Sequence, residues 1–311
     1  MDWLILIFLV PLVLIPLVFL MGFVGCKFHA PTSNGGNGSR PAAPSNLVAT
    51  PVSSSEIDLT WTDNAATSTT AFRIARWENG APVDPTSPAN PPPTPGAMQQ
   101  QWKDFEDSSL NPGIPYKYQV FASVADQESD GSNMAPATTF AEAYNVPLTD
   151  PDSGLEGRTI VQRIDGGHIT SDGAKVRLTL RGSTVANLVI NKVTISQAAT
   201  VGQPWDSAGV IKEVLFNNGQ SGVTILANAT KANPAVSDVT DLVFNLAPGQ
   251  DLLIAFDIST TDGSARRATM PGPTQYRNLG PPEAAKPPPR SPNYSTFAGR
   301  VSIIDKIEVV P

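Results

Sequence analysis

The chain has 311 residues, 41% of them hydrophobic, enough for about two domains with cores of their own. Its 30 prolines, 24 glycines and 16% charged residues argue against a helical protein, and a net charge of -7 argues against a nucleic-acid binder, which needs a basic face. One cysteine rules out an internal disulfide, and two histidines, His29 and His168, leave little material for a histidine metal site or a catalytic relay.

Residues 3–26, WLILIFLVPLVLIPLVFLMGFVGC, carry no charge and as a helix would span roughly 30 Å of hydrocarbon. Pro11 and Pro16 would kink that helix, which membrane spans tolerate. A simple cleaved signal fits less well, because Asp2 stands where a cationic region belongs and the apolar run is too long. FVGC at 23–26 resembles a bacterial lipobox: Gly25 and Cys26 match its last two positions, and Phe23 departs from the usual leucine. The resemblance implies a lipid anchor on Cys26, and an uncleaved membrane helix over 1–26 stays open beside it. Asp2 before the run and Lys27 after it favour a cytoplasmic bulk by the positive-inside rule. The composition beyond favours the outside, so the expected address is membrane-anchored, facing the cell exterior or periplasm. Residues 27–42 read as a flexible linker, since PTSNGGNGSRPAAP has no apolar periodicity.

Strand signals follow. SEIDLTW alternates Ile57, Leu59 and Trp61, AFRIARW places Phe72 and Ile74 on one face, and PYKYQVFA alternates Tyr116, Tyr118, Val120 and Ala122. With FEDSSLNPGIPYKYQVFA and SDGSN these segments resemble a fibronectin type III domain over residues 43–141. The resemblance implies a buried second-strand tryptophan at Trp61. It also implies a tyrosine corner built from Leu110, Pro112 and Tyr116. The departure is APVDPTSPANPPPTPGAMQQQ, a long proline-rich insertion between Trp77 and Trp102. It reads as a solvated loop, with those two tryptophans as candidates for a sugar-stacking or partner surface. Asp126, Glu128 and Asp130 in ADQESDGS offer hard oxygen ligands for calcium without the spacing of an EF-hand.

Residues 142–157 read as a second linker, and 158–311 as another set of strands. VRLTL, VTISQA, VLF, VTIL, DLVFNL, DLLIAFDI and RVSIIDKIEVV alternate apolar residues without a convincing amphipathic helix, which suits a jelly-roll-like β-sandwich. The whole chain is thus expected to be all-β behind an N-terminal hydrophobic helix. Part of 193–258 resembles the N-terminal sandwich domain of some SGNH/GDSL-type hydrolases and uncharacterised bacterial and phage surface modules. No GDS block follows it, and no GxSxG elbow occurs. The resemblance therefore implies an accessory module without a catalytic one.

No catalytic residue and no cofactor is expected. His168, near Asp165 and Asp172, lies in a glycine-rich turn with no nucleophile placed by a motif. Trp205, Tyr276 and Tyr294 sit in loop-like contexts, as sugar-stacking candidates or as caps on the core. The proline-rich stretch 271–293 reads as a stiffened loop between the last two strands. The sequence thus points to a tethered, exported surface protein acting in adhesion, spacing or assembly without catalysis. Its expected partners are the membrane and surface glycans or proteins, and no nucleic acid. A glycan-binding accessory to a separate hydrolase, and a phage or surface-filament subunit, are the alternative readings.

Overall fold

The computed structural model describes residues 40–65, 70–83, 102–124, 127–227 and 234–311, with the backbone alone at 102 and 103. The expected N-terminal helix, Cys26, Asp126 and most of the insertion after Trp77 lie outside the described residues. Among those residues, every regular element is a strand except one 3-10 turn, Gly166–His168.

The first sandwich contains β1 (Ser45–Pro51), β2 (Glu56–Thr62), β3 (Ala71–Glu78), β4 (Ala81–Pro82), β5 (Trp102–Ser108), β6 (Pro115–Val124), β7 (Gln127–Glu128) and β8 (Ala135–Thr138). One antiparallel sheet runs β1-β2-β5. The other runs β4-β3-β6-β7, with β8 also paired to β6. Period-two alternation turns Ile57, Leu59 and Trp61 inward against Phe72, Ile74 and the β6 residues Tyr116, Tyr118, Val120 and Ala122. Trp61 meets Phe72 edge-on with ring centroids 5.4 Å apart. The sheets are also joined by charge. Buried Arg76 of β3 donates to both carboxylate oxygens of Asp107 on β5 at 2.9 Å, and the Tyr118 hydroxyl donates to the same carboxylate at 2.9 Å. Leu110 and Tyr116 are buried, and the Asn111 N–H donates to the Tyr116 hydroxyl oxygen at 3.0 Å, the contact expected of a tyrosine corner. Residues 45–138 are thus a sandwich of two antiparallel sheets.

The second sandwich opens with β9 (Ala141–Asn145), β10 (Asp150–Asp152), β11 (Arg158–Ile164), β12 (Gly173–Leu180), β13 (Leu188–Ala198) and β14 (Ser207–Val214). It continues with β15 (Val223–Ile225), β16 (Ala235–Val236), β17 (Thr240–Leu246), β18 (Leu252–Gly263), β19 (Ala265–Leu279), β20 (Ser295–Ser302) and β21 (Ile304–Val309). The larger sheet has the order β10-β19-β11-β18-β13-β14, with β15 on β13 and β20 on β19; the smaller runs β16-β12-β21-β9, with β17 on β12. Ile160, Leu178, Ile195, Phe216, Phe256 and Ile307 help fill the core between them.

Three expectations change here. Residues 142–157 are no free linker, because β9 pairs with β21 and β10 with β19. The proline-rich stretch 271–293 is not all loop, since 271–279 belong to β19. Pro271 and Pro273 fit that strand because they fall where its pairing with β20 slips, between Thr269 and Thr274, and outside its pairings with β10 and β11. The last strand breaks at buried Ile303, whose φ of 72° is rare for a β-branched residue. There the chain leaves the larger sheet and enters the smaller one.

The two sandwiches meet across a short, buried junction. Only Thr139 and Phe140, both buried, separate β8 from β9. The β1–β2 turn docks on the smaller sheet of the second sandwich: Ser54 N–H donates to Glu308 at 2.9 Å, and Arg177 donates to the Val52 carbonyl. Glu308, wholly buried, also accepts from Arg177 at 2.7 Å and from Lys306 at 2.7 Å, while the Arg177 guanidinium lies 4.7 Å from the Phe140 ring centroid.

Replacing Tyr116→Phe removes the acceptor of the Asn111 N–H and should cost about 1–3 kcal/mol. The effect is read as a lower urea midpoint at unchanged slope. An unchanged midpoint would show that the corner does not hold this loop.

Candidate functional site

The larger sheet is covered on both faces, and the candidate site grows from its outer cover. In β18, Leu252, Ile254, Phe256 and Ile258 point into the core between the sheets, while Leu253, Ala255 and Asp257 emerge on the other side. Val161 of β11 and Tyr276 of β19 join them there. Residues 280–294 fold over this face as a cap.

The cap is held by a polar frame. Asp257 accepts from the Thr159 hydroxyl at 2.6 Å and from the Glu283 and Ala284 N–H groups at 3.1 and 3.0 Å. The Thr194 hydroxyl donates to the Ala284 carbonyl at 2.8 Å. Buried Arg290 donates to the carbonyls of Trp205, Glu283 and Ala284, and its N–H donates to Asp206 at 2.9 Å. Glu283 accepts from Lys286 at 2.7 Å and from the Ser291 N–H and Tyr294 hydroxyl at 3.1 Å each. Burial opposes the charge on Glu283, yet those three donors hold its carboxyl below the usual range. Burial, reinforced by Glu283, pushes the Tyr294 hydroxyl well up.

The frame decides the fate of the aromatic candidates. Trp205, Tyr276 and Tyr294 do come together, with Trp205 5.3 Å from Tyr276 and 5.1 Å from Tyr294 between ring centroids. They are only 7%, 5% and 8% exposed, and the Trp205 indole N–H donates to the Ser291 carbonyl at 3.0 Å. Their faces therefore belong to a small second core under the cap and do not form an open sugar-stacking platform. Trp77 is half-buried on β3, whereas Trp102 starts β5 in the opposite sheet, so they share no sheet surface.

The other candidates are placed as follows. Glu128 is forked by Arg73, with both bonds at 2.8 Å, and Asp130 lies 3.0 Å from Arg40. Those carboxylates serve surface ion pairs. A different acidic group, Glu56, Asp58 and Glu106, gathers on β2 and β5 within 4.8 Å, and burial followed by the charges of Glu106 and Asp58 pushes the Glu56 carboxyl up. His168 ends the 3-10 turn with Nδ1 3.5 Å from Asp165. It borders a cavity of about 340 Å³ shared with Glu142, Tyr144 and Met270. Hydroxyls nearby are engaged: Thr170 donates to the carbonyls of Glu142 and Ala143, and Tyr144 faces the Met270 sulfur at 3.9 Å.

A larger cavity, about 510 Å³, opens where β19 ends and the cap begins. Arg158, Arg277, Asn278, Lys286, Asn293 and Ser295 line it. No sequence motif joins these residues into one site, because three separate segments supply them.

No family model matches the chain, and no curated protein matches it. Among solved structures, the FN1–FN3 domains of chicken CNTN1 align at 12% identity and a TM-score of 0.27, covering 86% of this chain and 89% of that one. Titin kinase with its flanking domains aligns at 11% identity and a TM-score of 0.26, covering 71% of this chain and 38% of that one. Neither likeness is close enough to carry a function across.

Asp257→Ala leaves the Thr159 hydroxyl and two cap N–H groups without their acceptor. It should cost about 3 kcal/mol and speed hydrogen exchange in 281–291, with the first sandwich unchanged. Equal protection in the cap would mean that Asp257 does not hold it.

Proposed function

We propose that this chain is an exported, membrane-tethered surface protein that works by spacing and adhesion and performs no catalysis. In this reading residues 1–26 are the anchor, through a lipid on Cys26 or as a retained span, and the following residues are a flexible tether. The fibronectin type III-like sandwich and the jelly-roll-like sandwich then act as one stiff arm. The second sandwich, later in the chain, presents the contact surface.

The observation that carries the reading is the junction. A spacer has to hold its modules at a fixed angle, and two buried residues plus an ion cluster restrict the hinge that a free linker would allow. The cluster is strongly polarised. Burial opposes the charge on Glu308, but Lys306, Arg177 and Ser54 hold its carboxyl down at about 2. A carboxylate whose folded pKa is depressed stabilises the folded state above its unfolded value, and that contribution fades as pH falls through the folded one. The junction should therefore stay locked at neutral pH and loosen between pH 4.5 and about 2.

Two measurements test the proposal. Spin labels at Thr60→Cys and Val243→Cys, in a Cys26→Ser background, should give one narrow distance distribution at pH 7. Glu308→Ala should broaden it and cost about 3–5 kcal/mol. A broad distribution in the parent protein would refute the stiff arm. Intact mass of the chain taken from native membranes reads the anchor: a mass starting at Cys26 plus acyl chains means a lipoprotein, and one including Met1 means a retained span. A mass beginning beyond Cys26 would refute the tether.

A further inference from the structure

We propose that the cavity beside the cap of the second sandwich binds an anionic sugar unit, with its acid group on Arg158 and its hydroxyls on Asn278, Asn293 and Ser295. The site goes beyond the spacer reading and stands without it, since titration tests one and distances test the other.

Size and wall chemistry set the ligand class. A volume of about 510 Å³ is too large for a lone inorganic anion and falls in the range of small-molecule sites. The polar wall suits a polyhydroxylated ligand better than an apolar one. Pro281 and the exposed Leu279 add apolar surface at the same cavity for the C–H face of a sugar ring.

Electrostatics set the sign. The chain as a whole carries -7, yet this cavity is locally basic. Lys286 is matched by Glu283 at 2.7 Å. Arg277 pairs with Asp152 at 2.7 Å, but Arg300 shares that carboxylate at 3.7 Å, so two guanidiniums divide one negative charge. Arg158 donates from Nε to the Gly154 carbonyl at 2.8 Å and has no carboxylate partner among the described residues. Its Nη groups are the donors left for a planar, bidentate acid.

Asn278 supplies the independent sign of a ligand. It is 5% exposed, lines the cavity, and its side-chain amide makes no hydrogen bond among the described residues. Its amide lines the cavity without a hydrogen bond among the described residues to give up, so a ligand hydroxyl can both accept from and donate to it. The neighbours are already fixed by the frame around Glu283, so binding orders little that is not ordered beforehand.

The test uses the full chain in detergent micelles, titrated calorimetrically with trigalacturonate and with a neutral galactose trimer. Trigalacturonate should bind at one site with a millimolar or lower Kd, more weakly as salt rises. Arg158→Gln should weaken it about tenfold and bring it level with the neutral trimer. Asn278→Ala should weaken both ligands. That side chain makes no hydrogen bond among the described residues, so an unchanged melting temperature shows that the variant is folded. Equal affinity for both trimers in the parent protein, no heat from either, or binding that ignores both substitutions would each overturn the proposal.

Discussion

A strand that is apolar on both faces has to be covered twice, and the second sandwich is organised around that requirement. β18 runs Leu252–Gly263 through the middle of the larger sheet, and its first seven residues are all buried. The core between the sheets covers one side; the 280–294 cap covers the other with Trp205, Tyr294 and Ala284. Burying Asp257 on such a face is tolerable only because its carboxylate is saturated by donors, and two of those donors are cap N–H groups. The acid that would otherwise destabilise the strand thus becomes the anchor of its cover. A loop with several prolines loses less entropy on being pinned this way than an ordinary loop of equal length.

The junction uses charge in a similar way. A cluster in which half-buried Arg177 and Lys306 meet buried Glu308 gains little net stability over well-packed apolar residues, because desolvation of the carboxylate offsets most of the attraction. What such a cluster does supply is register. Glu308 has one geometry that satisfies Ser54, Arg177 and Lys306 together, and small rotations between the sandwiches leave a charge unpaired. Apolar surfaces would have allowed sliding. The Arg177 bond to Val52 and its stacking on Phe140 tie the same cation to the first sandwich as well.

Much of the fold was legible from period-two patterns. Trp61 and Tyr116 lie on the inward faces of the alternating runs that hold them, and the β12, β13, β17 and β18 segments were visible as alternating runs. What stayed hidden had physical reasons. β9 and β10 are five and three residues long and lie among Asn, Pro, Asp and Gly, so turn chemistry masked pairing that is wholly non-local. β19 carries two prolines in its unpaired middle, which read as loop because a single sequence does not reveal which N–H groups a sheet leaves unused. The run LLIAFDI was read as one inward face. Its continuous apolarity was the available signal that both faces are covered.

Aromatics in loop-like sequence look like a binding surface, but here Trp205, Tyr276 and Tyr294 are consumed in holding the cap down. Their burial makes the cap rigid, and a rigid cap beside the end of β19 gives the cavity walls that do not need ordering when a ligand arrives. Recognition then falls to groups the frame leaves over: a guanidinium without an acid and an amide without a partner among the described residues. Neither is visible as a motif, because being left over is a property of the packed structure. Composition constrains the site only by contrast: against a background of -7, one uncompensated cation is a local feature that an anionic ligand can find.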